Sequence, residues 1–193
     1  MPAGSDGAVN QQLQKLKDLL PGPTAKCGES IVITIDGPAG SGKTTLAKEL
    51  SSVLDSCYTI HMDDLYEGWD STLTPHLTNK LTTIYSAVQL EKRIRFTPFN
   101  WLESKFDSQI DIAATKYLIV EGVGSGQSAT RDFISLALWI EVLPELGLER
   151  VTKRDGLAVA AFMPAFIVAQ NAHFEKEATK KSADYRLSGQ GTV

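Results

Sequence analysis

The feature that most constrains the fold of this chain is an apolar strand that runs directly into a glycine-rich turn. Residues 31–35 read IVITI, a β-branched run typical of a strand buried on both faces of a parallel sheet. The turn GPAGSGKT follows at residues 37–44, and the next residues, TLAKEL, have a helical pattern. This order predicts a first strand, a tight turn and a helix, which is how a βαβ unit begins.

The turn itself satisfies the pattern G-x-x-x-x-G-K-[ST]. Glycines at these positions let backbone N–H groups turn inward around a polyphosphate, and the following helix N-terminus adds partial positive charge. We expect Lys43 to reach the β- and γ-phosphates and Thr44 to offer its hydroxyl to Mg²⁺. A purely structural turn would not explain the Lys and the Thr. The predicted nucleotide contacts are Gly37, Ala39, Gly40, Ser41, Gly42, Lys43, Thr44 and Thr45.

Further short apolar runs recur along the chain with helix-length segments between them. They lie at residues 58–62, 117–120 and 136–142, and a weaker one lies at 184–187. This alternation of strands with helix-length segments predicts a three-layer α/β/α domain with a parallel sheet of about five strands. A longer polar and aromatic stretch, residues 74–115, separates the second strand from the third.

The domain organisation follows from these elements. Leu13, Leu16, Leu19 and Leu20 recur at helical spacing, so residues 1–28 are predicted to form an N-terminal helix and a connector. Residues 29–193 are predicted to form the phosphate-binding domain. Within it we expect an insertion at about 66–115 that carries the acceptor contacts.

The amino-acid composition limits the classes of partner that we expect the protein to bind. The formal net charge is −4, and no Lys/Arg-rich block occurs, which argues against nucleic acid or an anionic membrane as a partner. We therefore expect a small-molecule partner, while the oligomeric state stays open. The two cysteines and the absence of a signal-like or membrane-spanning run lead us to expect a cytoplasmic protein.

Acidic residues follow two of the predicted strands, where ligands bind in a doubly wound sheet. Asp63 and Asp64 follow the second strand, and Glu121 follows the third. Asp63 is the favoured base for an attacking hydroxyl, although Asp64 is an alternative and either Asp can simply cap the strand end. Glu121 is predicted to face Mg²⁺ directly or through water, the alternative being a solvated carboxylate.

Four segments together resemble the uridine kinase-like branch of P-loop small-molecule kinases, over about residues 29–189. They are IDGPAGSGKTTLA, HMDDLY, YLIVEG and ERVTKRD. The resemblance implies an ATP- and Mg²⁺-dependent kinase in which Asp63 faces the acceptor hydroxyl and Tyr66 lines the acceptor pocket. It also implies a short lid at about 145–160, on which Arg150 and Arg154 are the arginines that close over the phosphates. Leu65 stands where the family carries Phe.

The acceptor region departs from that pattern, because this chain has PFNW at residues 98–101. A nucleoside is the first candidate acceptor; a nucleoside monophosphate, a sugar acid and a vitamin precursor stay open. A regulatory ATP-binding module without transferase activity is the alternative of another class. The candidate pocket residues are Trp69, Asp70, Arg93, Arg95, Asn100 and Trp101.

Three other features are interpreted as structural. Phe162, Phe166 and Gln170 belong to a helical stripe that we expect to pack in the core. The glycines of the segment EGVGSGQ, residues 121–127, are predicted to form an ordinary loop, the alternative being a second anion-binding turn. His61 is expected to be structural, because the three histidines of the chain form no metal-binding pattern.

Overall fold

The computed structural model of the protein describes residues 22–190. The helix predicted at residues 10–20 lies outside this range, and the boundary at residue 28 stays a prediction. The described chain is built around one central sheet, which the five predicted strands form almost residue for residue.

This sheet contains five parallel strands: β1 Ile31–Asp36, β2 Cys57–His61, β7 Tyr117–Glu121, β8 Leu136–Glu141 and β9 Tyr185–Ser188. Their order across the sheet is β2-β7-β1-β8-β9. β7 and β1 lie side by side inside the sheet, and all of their residues except Ile31 are buried. The three-layer fold with a parallel sheet of about five strands is therefore confirmed.

Five α-helices accompany the sheet among the described residues. They are α1 Lys43–Ser51, α2 Pro75–Ser86, α3 Pro144–Ala160, α4 Met163–Glu177 and the short α5 Thr179–Ser182. A π-helical turn, Ala87–Glu91, continues α2. α1 buries Leu50, and α2 buries Leu77, Leu81 and Ile84, so each of these two helices needs an apolar surface to cover its buried face.

The two faces of the sheet supply these surfaces. Side chains alternate along a strand, so Ile33 and Ile35 pack on one face with Leu50 of α1. Val32 points to the other face and packs with Leu81 of α2. Burial of both faces explains why β1 reads as an unbroken apolar run rather than an alternating one.

The insertion between β2 and β7 folds differently from a simple helix and loop. Two small antiparallel pairs follow α2. β3 Arg93–Phe96 pairs with β6 Ile110–Ala113, and β4 Phe99–Asn100 pairs with β5 Lys105–Phe106. The sequence did not predict these strands, because pairs this short are set by their contacts with the rest of the domain.

No single helix within residues 22–190 has both the length and the hydrophobicity to cross a membrane. Only α3 and α4 taken together satisfy these criteria, and a bend of 115° separates them.

Candidate functional site: a phosphate cradle and an aromatic cavity

The glycine-rich turn lies between β1 and α1, as predicted. Gly40 has φ of +75°, and a Cβ there would lie 2.2 Å from the carbonyl oxygen of Gly147, at the start of α3. Only glycine permits both this backbone conformation and this close approach. The Lys43 ammonium donates hydrogen bonds to the carbonyls of Gly37 at 2.9 Å and Pro38 at 2.7 Å. The turn is therefore a closed loop with the lysine folded into it.

Two distant residues hold this turn in place. Gln170, buried in α4, accepts a hydrogen bond from the backbone N–H of Ala39 at 3.1 Å. Arg150 in α3 donates to the carbonyls of Gly40 at 3.3 Å and Gly189 at 2.7 Å. The cradle is thus fixed from two helices, and Gln170 makes a polar contact with it rather than only filling the core as expected.

Asp36, the last residue of β1, joins the cradle to the glycine-rich loop after β7. Its carboxylate accepts hydrogen bonds from the N–H groups of Gly37 at 2.7 Å, Gly124 at 3.1 Å and Gly126 at 2.9 Å. Burial raises the pKa of Asp36 to about 6, although these bonds and the Lys43 ammonium act to lower it. The loop therefore does bind an anion, and the anion is a side chain of the protein itself.

The ends of β2, β7 and α1 meet at Glu121. Its Oε1 atom accepts a hydrogen bond from the Thr44 hydroxyl at 2.8 Å and lies 2.6 Å from Nδ1 of His61. The hydrogen bond to Glu121 raises the pKa of His61, and burial of the ring opposes this rise. Parallel pairing of β2 with β7 sets His61 directly opposite Glu121, which explains a contact that the sequence did not predict.

This group of oxygen ligands suits Mg²⁺. A hydroxyl and a carboxylate oxygen 2.8 Å apart are hard ligands beside the cradle. Within residues 22–190, no three His, Cys, Asp or Glu side chains cluster as a protein-built metal centre. Mg²⁺ keeps several waters and usually takes only one or two protein ligands together with substrate phosphates, so the residues present fit this ion.

Asp63 lies in a single 3₁₀ turn, Met62–Asp64, directly after β2. Removal from bulk water and the neighbouring Glu121 carboxylate raise the pKa of Asp63, while Lys43 and Arg154 act to lower it. Its backbone carbonyl accepts a hydrogen bond from the Trp101 indole at 2.9 Å. A cavity, described below, lies in front of the cradle. Asp63 is among the residues that line this cavity, and Asp64 is not.

The segment predicted to be a lid, residues 145–160, approaches the cavity through Arg154. This side chain is 62% exposed and forms two hydrogen bonds of 2.7 Å with the Asp155 carboxylate. Gly156 follows with φ of +82° and interrupts the helical geometry of α3, yet nothing lies within 4 Å of a Cβ built there. The backbone conformation, and not packing, therefore requires glycine at this break.

The cavity in front of the cradle has a volume of about 590 Å³. Aromatic side chains from three separate segments form much of its wall: Tyr66, Trp69, Trp101, Phe162 and Phe166. The Tyr66 hydroxyl donates to the carbonyl of Val123 at 2.7 Å, which fixes this ring against the β7 loop. A cavity of this size and composition is typical of a small-molecule site.

Most of the predicted site residues come together here. The cavity lining includes Ala39, Gly40, Lys43, Thr44, Asp63, Tyr66, Trp101, Glu121 and Arg154. Gly37, Ser41, Gly42 and Thr45 belong to the same turn and helix start but lie outside the lining. The structure does not bring Arg93, Asn100 or Arg150 to it.

Each of these last three residues has other contacts. Arg93 pairs with Asp111 across the β3–β6 pair. Asn100 Oδ1 accepts hydrogen bonds from the N–H groups of Leu102 and Glu103, both at 3.1 Å, and so closes a turn. Arg150 binds the back of the cradle, as described above.

The interpretation of Phe162 and Phe166 as core residues was wrong. Phe162 is 48% exposed, and both rings line the cavity. Phe162 lies in the break between α3 and α4, and both rings contact Trp69 rather than the sheet core. An apolar stripe at helical spacing indicates only that one face is covered, and the sequence carries no signal for what covers it.

The sheet order and the cradle define a P-loop protein with the fold of small-molecule kinases. A family model described as "AAA domain" matches residues 33–159, which is more than half of the chain. The chain belongs to this P-loop family. A comparison with curated protein sequences gives no significant match.

Two solved structures share the fold. A possible uridine kinase from Bacillus stearothermophilus has a TM-score of 0.67 and 21% identity, over 93% of this chain and 98% of the other. A provisionally assigned fructose transport system kinase from Silicibacter sp. TM1040 has a TM-score of 0.57 and 16% identity, over 92% and 97%. At these identities the comparison establishes the fold, and the uridine kinase-like resemblance of the sequence agrees with it.

Proposed function

We propose that the protein is a kinase that transfers the γ-phosphate of ATP, with Mg²⁺, to a hydroxyl group of a small ring-bearing metabolite. The observation that carries the proposal is the convergence of five side chains on one cavity: Lys43, Thr44, Asp63, Glu121 and Arg154. They come from the cradle, two strand ends and the lid. Phosphoryl transfer needs a polyphosphate site, a metal site, a base and a mobile cation, and each has a candidate here.

The cradle and Lys43 bind the ATP phosphates. On nucleotide binding, the Lys43 ammonium exchanges the carbonyls of Gly37 and Pro38 for phosphate oxygens, which are stronger acceptors because they are charged. Thr44 and Glu121 would hold Mg²⁺. When bound, the ion would neutralise negative charge on the phosphate oxygens.

Asp63 orients the acceptor hydroxyl and accepts its proton. Its raised pKa improves it as a base, because a more basic carboxylate takes a proton more readily. Arg154 stabilises the charge that spreads over the transferred group. Its exposure and its position beside the Gly156 break leave it free to move toward the phosphates.

The charges of the cavity favour a hydroxyl acceptor over a phosphate or a carboxylate acceptor. Lys43 and Arg154 are the basic side chains in the lining, and the transferred phosphate requires both. The acceptor half carries Asp63 and aromatic rings, while Arg93 and Arg95 pair with Asp111 elsewhere. A neutral acceptor with a flat ring suits this half, since rings stack on aromatic side chains.

Among the acceptors left open by the sequence, a nucleoside fits this chemistry best. A nucleoside monophosphate or a sugar acid would need a further cation. The similar structure described as a possible uridine kinase is consistent with a nucleoside acceptor. The acceptor's identity, a cytoplasmic location and a lack of nucleic-acid and membrane partners remain predictions.

The test is ADP formation by the purified protein with ATP and Mg²⁺, across nucleosides, nucleoside monophosphates, sugars, sugar acids and vitamin precursors. We expect one neutral ring-bearing alcohol to raise turnover at least tenfold over the no-acceptor rate. Lys43→Ala and Asp63→Asn should each abolish this stimulation, whereas Asp64→Asn should retain most of it.

Two results would contradict the proposal. ATP binding without stimulation by any acceptor would favour a regulatory ATP-binding module. Full activity in Asp63→Asn would remove the base from the mechanism.

A further inference from the structure

The proposed base, Asp63, lies in a short turn that has little support of its own. This 3₁₀ turn comprises only the three residues Met62–Asp64. The N–H groups of Leu65, at 2.9 Å, and Tyr66, at 3.2 Å, both donate to the carbonyl of Met62. This pattern leaves the carbonyls of Asp63 and Leu65 available to donors from outside the turn.

Two side chains of the insertion between β2 and β7 supply these donors. The indole N–H of Trp101 donates to the carbonyl of Asp63 at 2.9 Å. The ammonium of Lys80, in α2, donates to the carbonyl of Leu65, also at 2.9 Å. The turn that carries the base is therefore held at two carbonyls by the segment that was predicted to carry the acceptor contacts.

The two donors are joined to each other through the β4–β5 hairpin. The Lys80 ammonium lies 4.7 Å from the centroid of the Phe106 ring. Phe106 is paired with Phe99 across the hairpin, with ring centroids 5.5 Å apart, and Phe99 packs edge-on against Trp101 at 5.6 Å. These contacts form a closed ring that begins and ends at the turn of Asp63. Such mutual packing locks the side chains that support a reacting group.

Trp101 contacts both the base residue and the space for the acceptor. Its ring lines the cavity and lies 5.2 Å from the Trp69 ring between centroids, while its N–H binds the backbone of Asp63. A displacement of about 1 Å between reacting groups can lower a rate about 10²-fold. A hydrogen bond that fixes the backbone of the base can therefore affect the rate of transfer more than it affects binding.

We propose that Trp101 is a positioning residue for Asp63, and that the β4–β5 hairpin holds this carboxylate where the acceptor hydroxyl must meet it. The inference rests on the proposed kinase function. Trp101 takes no proton and binds no phosphate in this role. Its indole N–H binds the Asp63 carbonyl and leaves the carboxylate to the acceptor hydroxyl.

The first experiment compares Trp101→Phe with Trp69→Phe by steady-state kinetics with the stimulating acceptor. Both substitutions keep an aromatic ring in the cavity lining, but only Trp101→Phe removes a hydrogen bond to Asp63. We expect Trp101→Phe to lower kcat about tenfold and to keep KM for ATP and for the acceptor within about twofold. Trp69→Phe should show the reverse, with a larger effect on KM for the acceptor than on kcat. An unchanged KM for ATP shows that each variant is folded.

The second experiment needs no activity. In protein labelled with nitrogen-15, Trp69, Trp101 and Trp139 each give one indole N–H signal in the NMR spectrum, and the two variants identify the first two. The rings of Trp69 and Trp101 are both partly exposed to solvent. We expect the Trp101 indole hydrogen to exchange with solvent about fivefold more slowly than that of Trp69, because its hydrogen bond must break first.

Each contrary result has a separate meaning. If Trp101→Phe changes KM for the acceptor without lowering kcat, the proposal is overturned and Trp101 is only part of the cavity wall. Equal exchange of the two indole hydrogens would also overturn it, because the hydrogen bond would not persist in solution. If no acceptor stimulates the wild type while the Trp101 indole exchanges slowly, the contact exists but the kinase function fails, and the positioning role fails with it.

Discussion

The rings of Trp69 and Phe162 lie parallel, with an interplanar angle of 2° and centroids 4.9 Å apart. Trp69 belongs to the insertion after β2, and Phe162 lies between the lid helix α3 and α4. The stack therefore joins the insertion to the segment that follows the predicted lid, and both rings line the cavity. Gly68 and Gly156, both with positive φ and open space at the Cβ position, flank the two segments that carry the rings.

This stack predicts that Phe162→Ala weakens acceptor binding. Stacked aromatic pairs contribute about 0.5–1.5 kcal/mol beyond their buried area, so we expect KM for the acceptor to rise about threefold to tenfold. Steady-state kinetics would measure it. Leu157→Ala is the control, because Leu157 is 82% exposed and outside the cavity. An equal effect in both variants would mean that general loosening of the lid, and not the stack, is responsible.

Arg154→Ala is expected to lower kcat about 10²-fold or more, because the guanidinium stabilises charge that develops only during transfer. Its exposed pairing with Asp155 predicts a change in the free energy of unfolding within about 0.5 kcal/mol. Turnover assays and urea denaturation measure the two effects. Lys153→Ala, at the preceding exposed position, should change neither. Normal turnover in Arg154→Ala would exclude this arginine from the reaction.

Glu121→Gln should raise the Mg²⁺ concentration for half-maximal activity at least about tenfold, since an amide is a weaker ligand than a carboxylate. The measurement is a Mg²⁺ titration of ADP formation at saturating ATP. Glu67→Gln provides the comparison, because Glu67 pairs with Lys80 away from the cavity lining. An unchanged Mg²⁺ dependence would assign Glu121 a structural role only, as the acceptor for Thr44 and His61.

Asp36 makes a prediction about pH and stability. Its pKa in the folded protein, about 6, is above the ordinary 3.8, so the folded state binds the extra proton between these values. The free energy of unfolding should therefore fall as the pH rises through this window. Between pH 4.5 and pH 7 this single group should lower it by about 2 kcal/mol.

The comparison for that prediction is Asp36→Asn, which cannot titrate. Urea unfolding gives the free energy of unfolding of the wild type and of the variant at each pH. We expect the wild type to exceed the variant by more at pH 4.5 than at pH 7, because only the wild type gains the proton. If the difference in free energy of unfolding between the wild type and Asp36→Asn does not change with pH, Asp36 keeps an ordinary pKa.

The raised pKa of His61 predicts a second pH dependence of the free energy of unfolding, at higher pH than that of Asp36. The bond to Glu121 raises its pKa above 6.5 in the folded protein, so the stabilisation is fully present below pH 6.5 and is lost as the pH rises through the raised value. The ring is half exposed to solvent, which limits the effect to about 1 kcal/mol or less. His61→Gln should remove this slope in urea unfolding between pH 6 and 9. A slope that persists would belong to another group.

Part of the site was predictable because its signal is contiguous in the sequence. The turn at residues 37–44 carries its own glycines, lysine and threonine, and Asp63 and Glu121 follow recognisable strands. Asp36 left a weaker signal in the sequence, as a charged residue that ends an apolar strand directly before a glycine. The hydrogen bond between Gln170 and Ala39 left no signal in the sequence, because it joins residues that are far apart in the chain.

The sequence by itself determined the class of fold, the phosphate cradle and the acidic strand ends, because local backbone preferences and strand alternation are written into neighbouring residues. Only the tertiary structure decided which side chains reach the cavity. It turned Phe162 and Phe166 toward Trp69, while the antiparallel pairing of β3 with β6 holds Arg93 against Asp111 outside the cavity. Both outcomes depend on how distant segments pack, and packing is a property of the whole fold rather than of any one stretch of chain.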